Sequence, residues 1–593
     1  MCGIAGCASV GREADLGTGV LAALRHRGPD NAGFLHKDGT SGSWTLAHTR
    51  LSIVDLSEAA NQPLANEDET LFLSYNGEIY NSPELRRHCE KSGHRFRSHS
   101  DGEVILHLWE MEGPSGLARL NGIFAIALAD SRTGEVVLAR DPMGVKPLFL
   151  SYMDSTLWFA SELEALKVAG APIGSMDPVA LAQFLSFLWV PDPRTPYSGC
   201  RSILPGHVVR WSNGTIEDSV FVDVIGESTQ QEDLFGVDLV EQGAQLIREA
   251  MSRQLLSDVP IGIMASGGID SSLLWWAARG KVDRAITIDW SHEVRDEGLA
   301  EDTHAVGLLG ESLGTPVHYL PGSDTPFNTL PSSGDLFADP AFQLTRRIAS
   351  YAHDEGLKVL VSGHGGDELF GGYRRHLIAP LLGRGHFGAA GRSLANLLQG
   401  VPGRNVSVEY LARLARAVGE SDELSGYMQL CMYSTAAERA RVLDCTEAEV
   451  SNDVVCQRHR EVFERLPRRW SRLRRVRALD LAVYLPGLGL AYTDRGGMEH
   501  SVEIRVPLLD LDLVRWGLRL PDEALVRHRT GKWLLRELAT RELPDLIGAR
   551  PKRGFGVPTH MLRTGTGSGG QRGFRQGAYF GLAEQLLGEF ISR

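Results

Sequence analysis

Long apolar runs, a basic charge excess and paired cysteines are all missing from this 593-residue sequence. Its longest apolar runs, such as Phe184 to Val190, fall far short of the ~20 residues a spanning helix needs, so no membrane span is expected. The stretch MCGIAGCASV has no basic segment and only a brief apolar one, which excludes a secretory signal. Seven cysteines, an odd number without C-x-x-C spacing, argue for reduced thiols in a cytoplasm rather than a disulfide framework. The net charge of −13 argues against a nucleic-acid partner and favours solubility. Two phosphate signatures are absent as well. There is no GxxxxGK followed by Ser or Thr, hence no P-loop, and no GxGxxG, hence no dinucleotide fingerprint.

What remains is ordinary globular material, 43% hydrophobic and 23% charged, in a length that calls for two or more domains. Up to about residue 210 the pattern is of short strands between Gly, Asn and Asp turns. Trp44–Leu51, Leu71–Tyr75, Ile123–Asp130 and Glu135–Arg140 are the clearest strands, with helices at Pro83–Cys89 and Glu103–Glu112. Ser100 or Asp101 caps the second helix. This mix predicts stacked β-sheets flanked by helices. Between Ser212 and Asp233 the chain turns polar and loses periodicity, so residues 211–235 read as a linker between a 1–210 domain and a 236–565 domain. In the second domain β and α patterns alternate: strand Ala285–Asp289, helix Ala300–Leu313, strand Lys358–Val361. Such alternation predicts a parallel sheet under helices. Leu377 to Leu520 reads as mainly helical additions. Residues 566–593 read as a loosely attached tail behind the Gly-rich stretch Thr564–Gly573.

The alternating half opens on Met264-Ala265-Ser266-Gly267-Gly268-Ile269-Asp270-Ser271-Ser272, between an apolar strand, Val259 to Met264, and a helix beginning Leu273-Leu274-Trp275-Trp276. Strand, Gly-rich turn and helix together present backbone N–H groups and hydroxyls to a phosphate at a helix N-terminus. Trp275 and Trp276 read as helix–sheet packing. SGGxDS resembles the pyrophosphate-binding loop of the ATP pyrophosphatases, which cleave ATP to AMP and pyrophosphate. A second loop, Ser362-Gly363-His364-Gly365-Gly366-Asp367-Glu368, follows strand Lys358–Val361. If both strands share one parallel sheet, both loops emerge at its carboxyl edge, where such sheets bind ligands. Asp270 and Asp367 would then hold Mg²⁺ against the phosphates of ATP. Ser266, Gly267, Gly268, Ser271, Ser272, Ser362 and Gly363 would line the nucleotide pocket, and Met264 and Ile288 would offer backbone to adenine.

At the other end, Cys2 has thiol and amine on one carbon skeleton if Met1 is removed. The amine, with an ordinary pKa near 8, can then act as base for its own thiol. Cys2-Gly3-Ile4-Ala5-Gly6, Arg25-His26-Arg27-Gly28-Pro29-Asp30, Arg50 to Asp55, Tyr75 to Asn81 and Ser100 to Glu103 follow in order. Together they closely resemble the glutaminase domain of class II glutamine amidotransferases, an N-terminal-nucleophile hydrolase fold. That resemblance implies Cys2 as nucleophile on the glutamine amide and an oxyanion hole from the Asn76 side chain and the Gly77 N–H. It implies Arg50 as a fork for the α-carboxylate and Asp101 as counter-charge to the α-ammonium. Leu51, Ser52, Ile53, Val54 and Glu78 complete the glutamine pocket.

The domain order, both loops, Asp494 to Asp510, Lys532-Trp533-Leu534-Leu535-Arg536 and Arg550 to Phe555 make the chain resemble the glutamine-hydrolysing asparagine synthetases over residues 2 to about 560. The resemblance implies adenylation of a carboxylic acid, with ammonia crossing an internal tunnel to displace AMP. Lys532 would neutralise the α-phosphate, Lys552 or Arg553 would help hold pyrophosphate, and a homodimer would form through the amino-terminal domains. One position departs from the family: His364 stands where an acidic residue is usual. A histidine can serve as a base but supplies no negative charge. The acceptor is therefore either L-aspartate, with His364 a tolerated variant, or another carboxylic acid of specialised metabolism. Two other classes, a ring-closing cyclase and a catalytically silent sensor, are disfavoured by the intact Cys2 group and by Asp270, Asp367 and Lys532. The basic run Arg468 to Arg477 reads as a solvated, salt-bridged helix face.

Overall fold

The computed structural model describes residues 2–11, 16–17, 19–40, 42–234, 238–290, 299–322, 327–383, 406–544, 547 and 574–592. The amino-terminal half stacks two six-stranded antiparallel sheets. The first runs in the order Cys200–Ser202, Phe149–Met153, Thr156–Ala160, Gly3–Ser9, Gly42–Arg50, Asn31–Gly39. The second runs Thr215–Val220, His207–Ser212, Val136–Arg140, Gly122–Asp130, Leu71–Ile79, Leu64–Ala65. Gly3–Ser9 and Leu71–Ile79 are buried at every position. A strand alternates its side chains between two faces, so burial of both means a cover on each side. One cover is the other sheet, through Ile4, Trp44, Leu46, Phe72, Ala125, Leu138 and Phe159. The outer covers are helices. Leu85, Val104, Ile105 and Leu108 pack on the second sheet, and Val20, Leu24, Leu163 and Leu166 on the first.

Two stretches fold differently from expectation here. Thr215–Val220 lies inside the 211–235 range read as a linker, yet it pairs with His207–Ser212, Trp211 opposite Ile216. Its polarity is that of an edge strand with one side in water. The carboxyl-terminal segment is not a loose tail. Helix Phe574–Ser592 buries Phe580, Leu582, Ala583, Leu586, Leu587 and Phe590 in a cluster with Leu181, Phe184 and Leu185 of helix Pro178–Phe187. The Gly-rich stretch before it, and Lys552 and Arg553, lie outside the described residues.

The second half carries five parallel strands in the order Val317–Pro321, Arg284–Asp289, Ile261–Met264, Val359–Val361, Glu503–Arg505. Ile261 lies opposite Val359 and Ile263 opposite Val361, so the two loop-bearing strands are neighbours in one parallel sheet. Connections run away from this pair in opposite directions, which makes it the switch point where α/β sheets open a ligand crevice. The helical additions include a π-helical stretch, Asp480–Gly489, containing Pro486. The basic run is not a solvated face throughout. Arg477 is fully buried and donates to the carbonyls of Glu368, Leu369 and Gly517. Arg474 is buried against Trp470 and pairs with Asp233 at 2.5 Å. Trp275 is buried, with its indole N–H on Thr315. Among the described residues no helix is long and apolar enough to cross a membrane.

Buried charges lock the halves together. Arg27 is completely buried and pairs with Glu162 (2.8 Å) and with Asp494 of the second half (3.0 Å), while its Nε donates to the Cys2 carbonyl (3.1 Å). Arg505 pairs with Glu503 (2.5 Å) and reaches Glu78 of the first half (3.4 Å). Burial alone would raise the Glu162 carboxyl, but His26 and Arg27 outweigh it and hold it at about 2. A depressed carboxyl stabilises the fold above its unfolded pKa of ~4.3, and that contribution is lost as pH falls towards 2. Removing one partner of a buried pair leaves the others uncompensated, at a cost of about 3–5 kcal/mol. Arg27→Met is therefore expected to lower unfolding free energy by about that amount in denaturant titrations. Its stability should also depend less on pH between ~4.3 and 2 than the wild type's.

Candidate active sites

Cys2 sits at the head of the first sheet's central strand, and Asn76 and Gly77 on the facing strand of the second. The backbone nitrogen of Cys2 donates to Asn76 Oδ1 at 3.0 Å. That contact turns the Asn76 amide so that Nδ2, buried and without a hydrogen-bond partner in the structure, is left for an incoming oxygen. Gly77 must be glycine, because a Cβ there would lie 2.0 Å from the Ile123 carbonyl. Burial raises the Cys2 thiol above the ordinary cysteine range, against the lowering pull of the chain terminus, the Leu51 N–H and Arg50.

The glutamine-binding candidates surround this pair. Arg50 ends strand Gly42–Arg50, its guanidinium donating to the carbonyls of Ser57 (2.9 Å) and Asp55 and to Asn61 Oδ1 (2.8 Å). Leu51 to Val54 form the next turn, fixed by Ser52 N–H to Asp30 (2.7 Å) and by Asp258 N–H to the Ile53 carbonyl (2.9 Å). Asp101 accepts from Tyr75 OH (2.8 Å) and Ile79 N–H (2.6 Å). Burial nonetheless raises its carboxyl above the usual range, and a cation beside it would pull it back down. Glu78 is raised well above the carboxylate range by burial and by neighbouring Asp101 and Glu503. Its side chain faces Arg505, which makes it part of the junction between halves.

Some way along the chain, the two Gly-rich loops meet. Ser266 Oγ and Ser271 Oγ are 2.9 Å apart, and Gly268 N–H donates to Ser266 Oγ at 3.3 Å. The Gly268 carbonyl receives Ser272 N–H at 3.1 Å, the first bond of helix Ile269–Ala278. Gly363 lies against Asp270, where an added Cβ would be 3.0 Å from Asp270 Cβ. Met264 and Ile288 put their side chains in the core. Lys532 Nζ touches both carboxylates, Asp270 and Asp367, the latter at 2.5 Å. Burial would lower the ammonium, but the two carboxylates outweigh it and keep Lys532 firmly charged. Lys532 holds φ +58°, a strained conformation for a non-glycine residue, at the start of helix Trp533–Glu542. Gly372 makes room for this trio, since a Cβ there would meet Asp367 Oδ1 at 1.9 Å and Lys532 Cε at 2.3 Å.

His364 lies between these loops and the helical additions. Its Nδ1 is 2.5 Å from Ser362 Oγ, and its Nε2 is 2.8 Å from Tyr492 OH and 3.3 Å from Thr493 Oγ1. Burial lowers its pKa to about 4, against a raising pull from Asp367, so the ring is neutral near pH 7. Glu368, at the end of the same loop, is pushed up to about 7 by burial and Asp367, and accepts from Tyr373 OH at 2.7 Å. Tyr492 and Thr493 carried no signal of their own, because the helical additions bring them to His364 from about 130 positions away. A group titrating at about 4 adds no inflection near neutrality. His364→Gln should therefore change the pH–rate curve's height but not its shape between pH ~5.5 and 8.

Comparison with known proteins agrees with this geometry. Residues 1–222 match a glutamine amidotransferase domain family and residues 242–567 the asparagine synthase family. The chain is 30% identical over 562 residues to "Asparagine synthetase [glutamine-hydrolyzing] 1" of Bacillus subtilis, covering 91% of this chain and 83% of that protein. It is 31% identical over 611 residues to a "Putative asparagine synthetase [glutamine-hydrolyzing]" of Mycobacterium tuberculosis, covering 95% and 89%. It is 34% identical over 374 residues to "Asparagine synthetase [glutamine-hydrolyzing] 3" of Arabidopsis thaliana, covering 60% and 57%. With both family matches joined in one chain and relatives about 30% identical over most of it, the protein belongs to the glutamine-hydrolysing asparagine synthetase family.

Proposed function

We propose that this chain amidates a carboxylic acid, L-aspartate to L-asparagine, at the expense of ATP and with ammonia taken from glutamine. What supports this reading is two groups of candidate side chains held in one folded chain of this family. Cys2, Asn76, Arg50 and Asp101 form one, and Asp270, Asp367 and Lys532 the other. The relatives' own activities support the acceptor.

In the glutamine half, the Cys2 amine, once exposed by loss of Met1, takes the thiol proton. Sγ attacks the side-chain amide carbon, and the charge on its oxygen is met by Asn76 Nδ2 and the Gly77 N–H. Collapse breaks the C–N bond, the proton goes to the departing nitrogen, and ammonia leaves. Water then cleaves the thioester to glutamate. In the other half a carboxylate oxygen attacks the α-phosphorus and pyrophosphate departs, with Lys532 offsetting charge on the α-phosphate. Asp270 and Asp367 already bracket the Lys532 ammonium, and two hard carboxylates, one from each Gly-rich loop, suit Mg²⁺. Bound there, it would supply positive charge to the phosphates. Ammonia attacks the acyl carbon, AMP leaves, and neutral His364 accepts the proton released.

A second reading, another carboxylic acid as acceptor, is favoured by His364 alone, since a neutral ring replaces an acidic group beside the acyl site. The test is mass spectrometry of products from Mg-ATP, amide-¹⁵N-glutamine and L-aspartate. Labelled asparagine with equimolar AMP and pyrophosphate is expected. Glutamate release without asparagine would overturn aspartate as acceptor and point to the second reading. Cys2→Ala should abolish glutamine-dependent but keep ammonia-dependent product. Asn76→Ala should cut glutaminase kcat about 10²–10³-fold.

A further inference from the structure

Away from both sites, four metal-ligating side chains converge: Glu67, His94, His107 and Glu110, with ligand atoms all within 4.8 Å of one another. They come from three places in the amino-terminal half. Glu67 is on the turn between strands Leu64–Ala65 and Leu71–Ile79, and His94 on the loop after helix Ser82–Lys91. His107 and Glu110 are about one turn apart on helix Glu103–Glu112. His94 Nδ1 is 2.9 Å from Glu67 Oε1 and 4.0 Å from Glu110 Oε2, and His107 Nδ1 is 3.1 Å from Glu67 Oε2. Ligands bonded at ~2.0–2.1 Å to a tetrahedral ion stand roughly 3.3 Å apart. The spacing fits an ion at the centre.

His107 is the observation that points to a ligand. Its side chain is 0% exposed and neither ring nitrogen makes a hydrogen bond. The nearest carboxylate on its own helix, Glu103, is 3.7 Å from Nε2, too far to count as one. The ring is clamped edge-on to Phe96 at 4.5 Å and against His94 at 4.7 Å, so it cannot turn to find a partner. Glu67 Oε2, opposite Nδ1, is buried and lacks a hydrogen bond as well. His107 Nδ1 and Glu67 Oε2 face each other at 3.1 Å as an ion-pair contact that does not reach hydrogen-bond geometry, an arrangement a cation bound by both would complete. The rim is polar and open. The Glu67 and Glu110 side chains are 33% and 30% exposed, which gives an entry path. Glu110 is also held from outside, accepting from Asn66 Nδ2 at 3.3 Å, as metal-bound carboxylates commonly are.

We propose that Glu67, His94, His107 and Glu110 form a structural divalent-cation site of the zinc class. Two imidazoles and two carboxylates suit Zn²⁺ better than Mg²⁺ or Ca²⁺, which take oxygen alone, and four protein ligands close the shell. The ion would pin the segment from His94 to Asp101. Its other side is already fastened by Glu103, which accepts from Arg97 N–H (2.6 Å), Ser98 N–H (2.9 Å) and Ser98 OH (2.6 Å). The site is independent of the acceptor acid, so its failure would leave the proposed reaction untouched.

The test uses the full-length protein, stripped with a chelator and loaded with Zn²⁺ or Co²⁺. Elemental analysis after gel filtration should give one Zn²⁺ per chain. Co²⁺ should give the visible absorption of a four-coordinate site without a thiolate charge-transfer band, which separates this site from Cys2. His94→Gln and Glu110→Gln, at the rim where folding should survive, should each weaken Zn²⁺ at least tenfold. Asp367→Asn should leave Zn²⁺ binding unchanged, which separates the site from the phosphate loops. Less than a tenth of an equivalent retained by the wild type, or wild-type affinity in both rim variants, would overturn the site.

Discussion

One guanidinium ties the molecule together. Arg27 has no access to water, so its charge must be balanced by Glu162 beside it and by Asp494 from the other half. The same group holds the carbonyl of the nucleophile, Cys2. A buried ion set of this kind adds little net stability compared with packed apolar residues, but it tolerates only one arrangement of its members. The position of Cys2 in the first half is thus conditional on the second half being docked. Arg505, reaching from the last strand of the parallel sheet to Glu78 beside the glutamine pocket, imposes the same condition a second time.

Much of this was legible in the residues. Local patterns carry local structure, so the strand at Ile123–Asp130, the helix at Glu103–Glu112 and the strand–turn–helix at Ser266 to Ser272 stand where periodicity and glycines put them. The neighbouring of the two phosphate loops followed from fold logic and is met by the pairing of Ile261 with Val359. What did not show was pairing at a distance. Arg27 and Asp494 sit in separate motifs 467 positions apart, and nothing in either motif names the other as partner. Arg477 read as solvent-facing because a helix wheel counts charges and cannot count the carbonyls that receive them. Thr215–Val220 read as a linker because an edge strand, wetted on one side, has a linker's composition. His107, an apolar-face histidine on a helix, gave no sign of what stands opposite it.

The chemistry of each centre is set by what burial forbids. Lys532 stays charged only because two carboxylates flank it. His364, on which burial outweighs the pull of Asp367, is left neutral. The two groups are driven to opposite charge states by their surroundings, which is what the proposed roles, one balancing phosphate and one taking a proton, require.

The docking of helix Phe574–Ser592 on helix Pro178–Phe187 bears on how the protein is made. Phe184 and Leu185 are synthesised well before Phe580 to Phe590, which cover them. At about 5–20 residues per second, roughly 400 intervening residues leave that greasy groove bare for about 20–80 s on the ribosome.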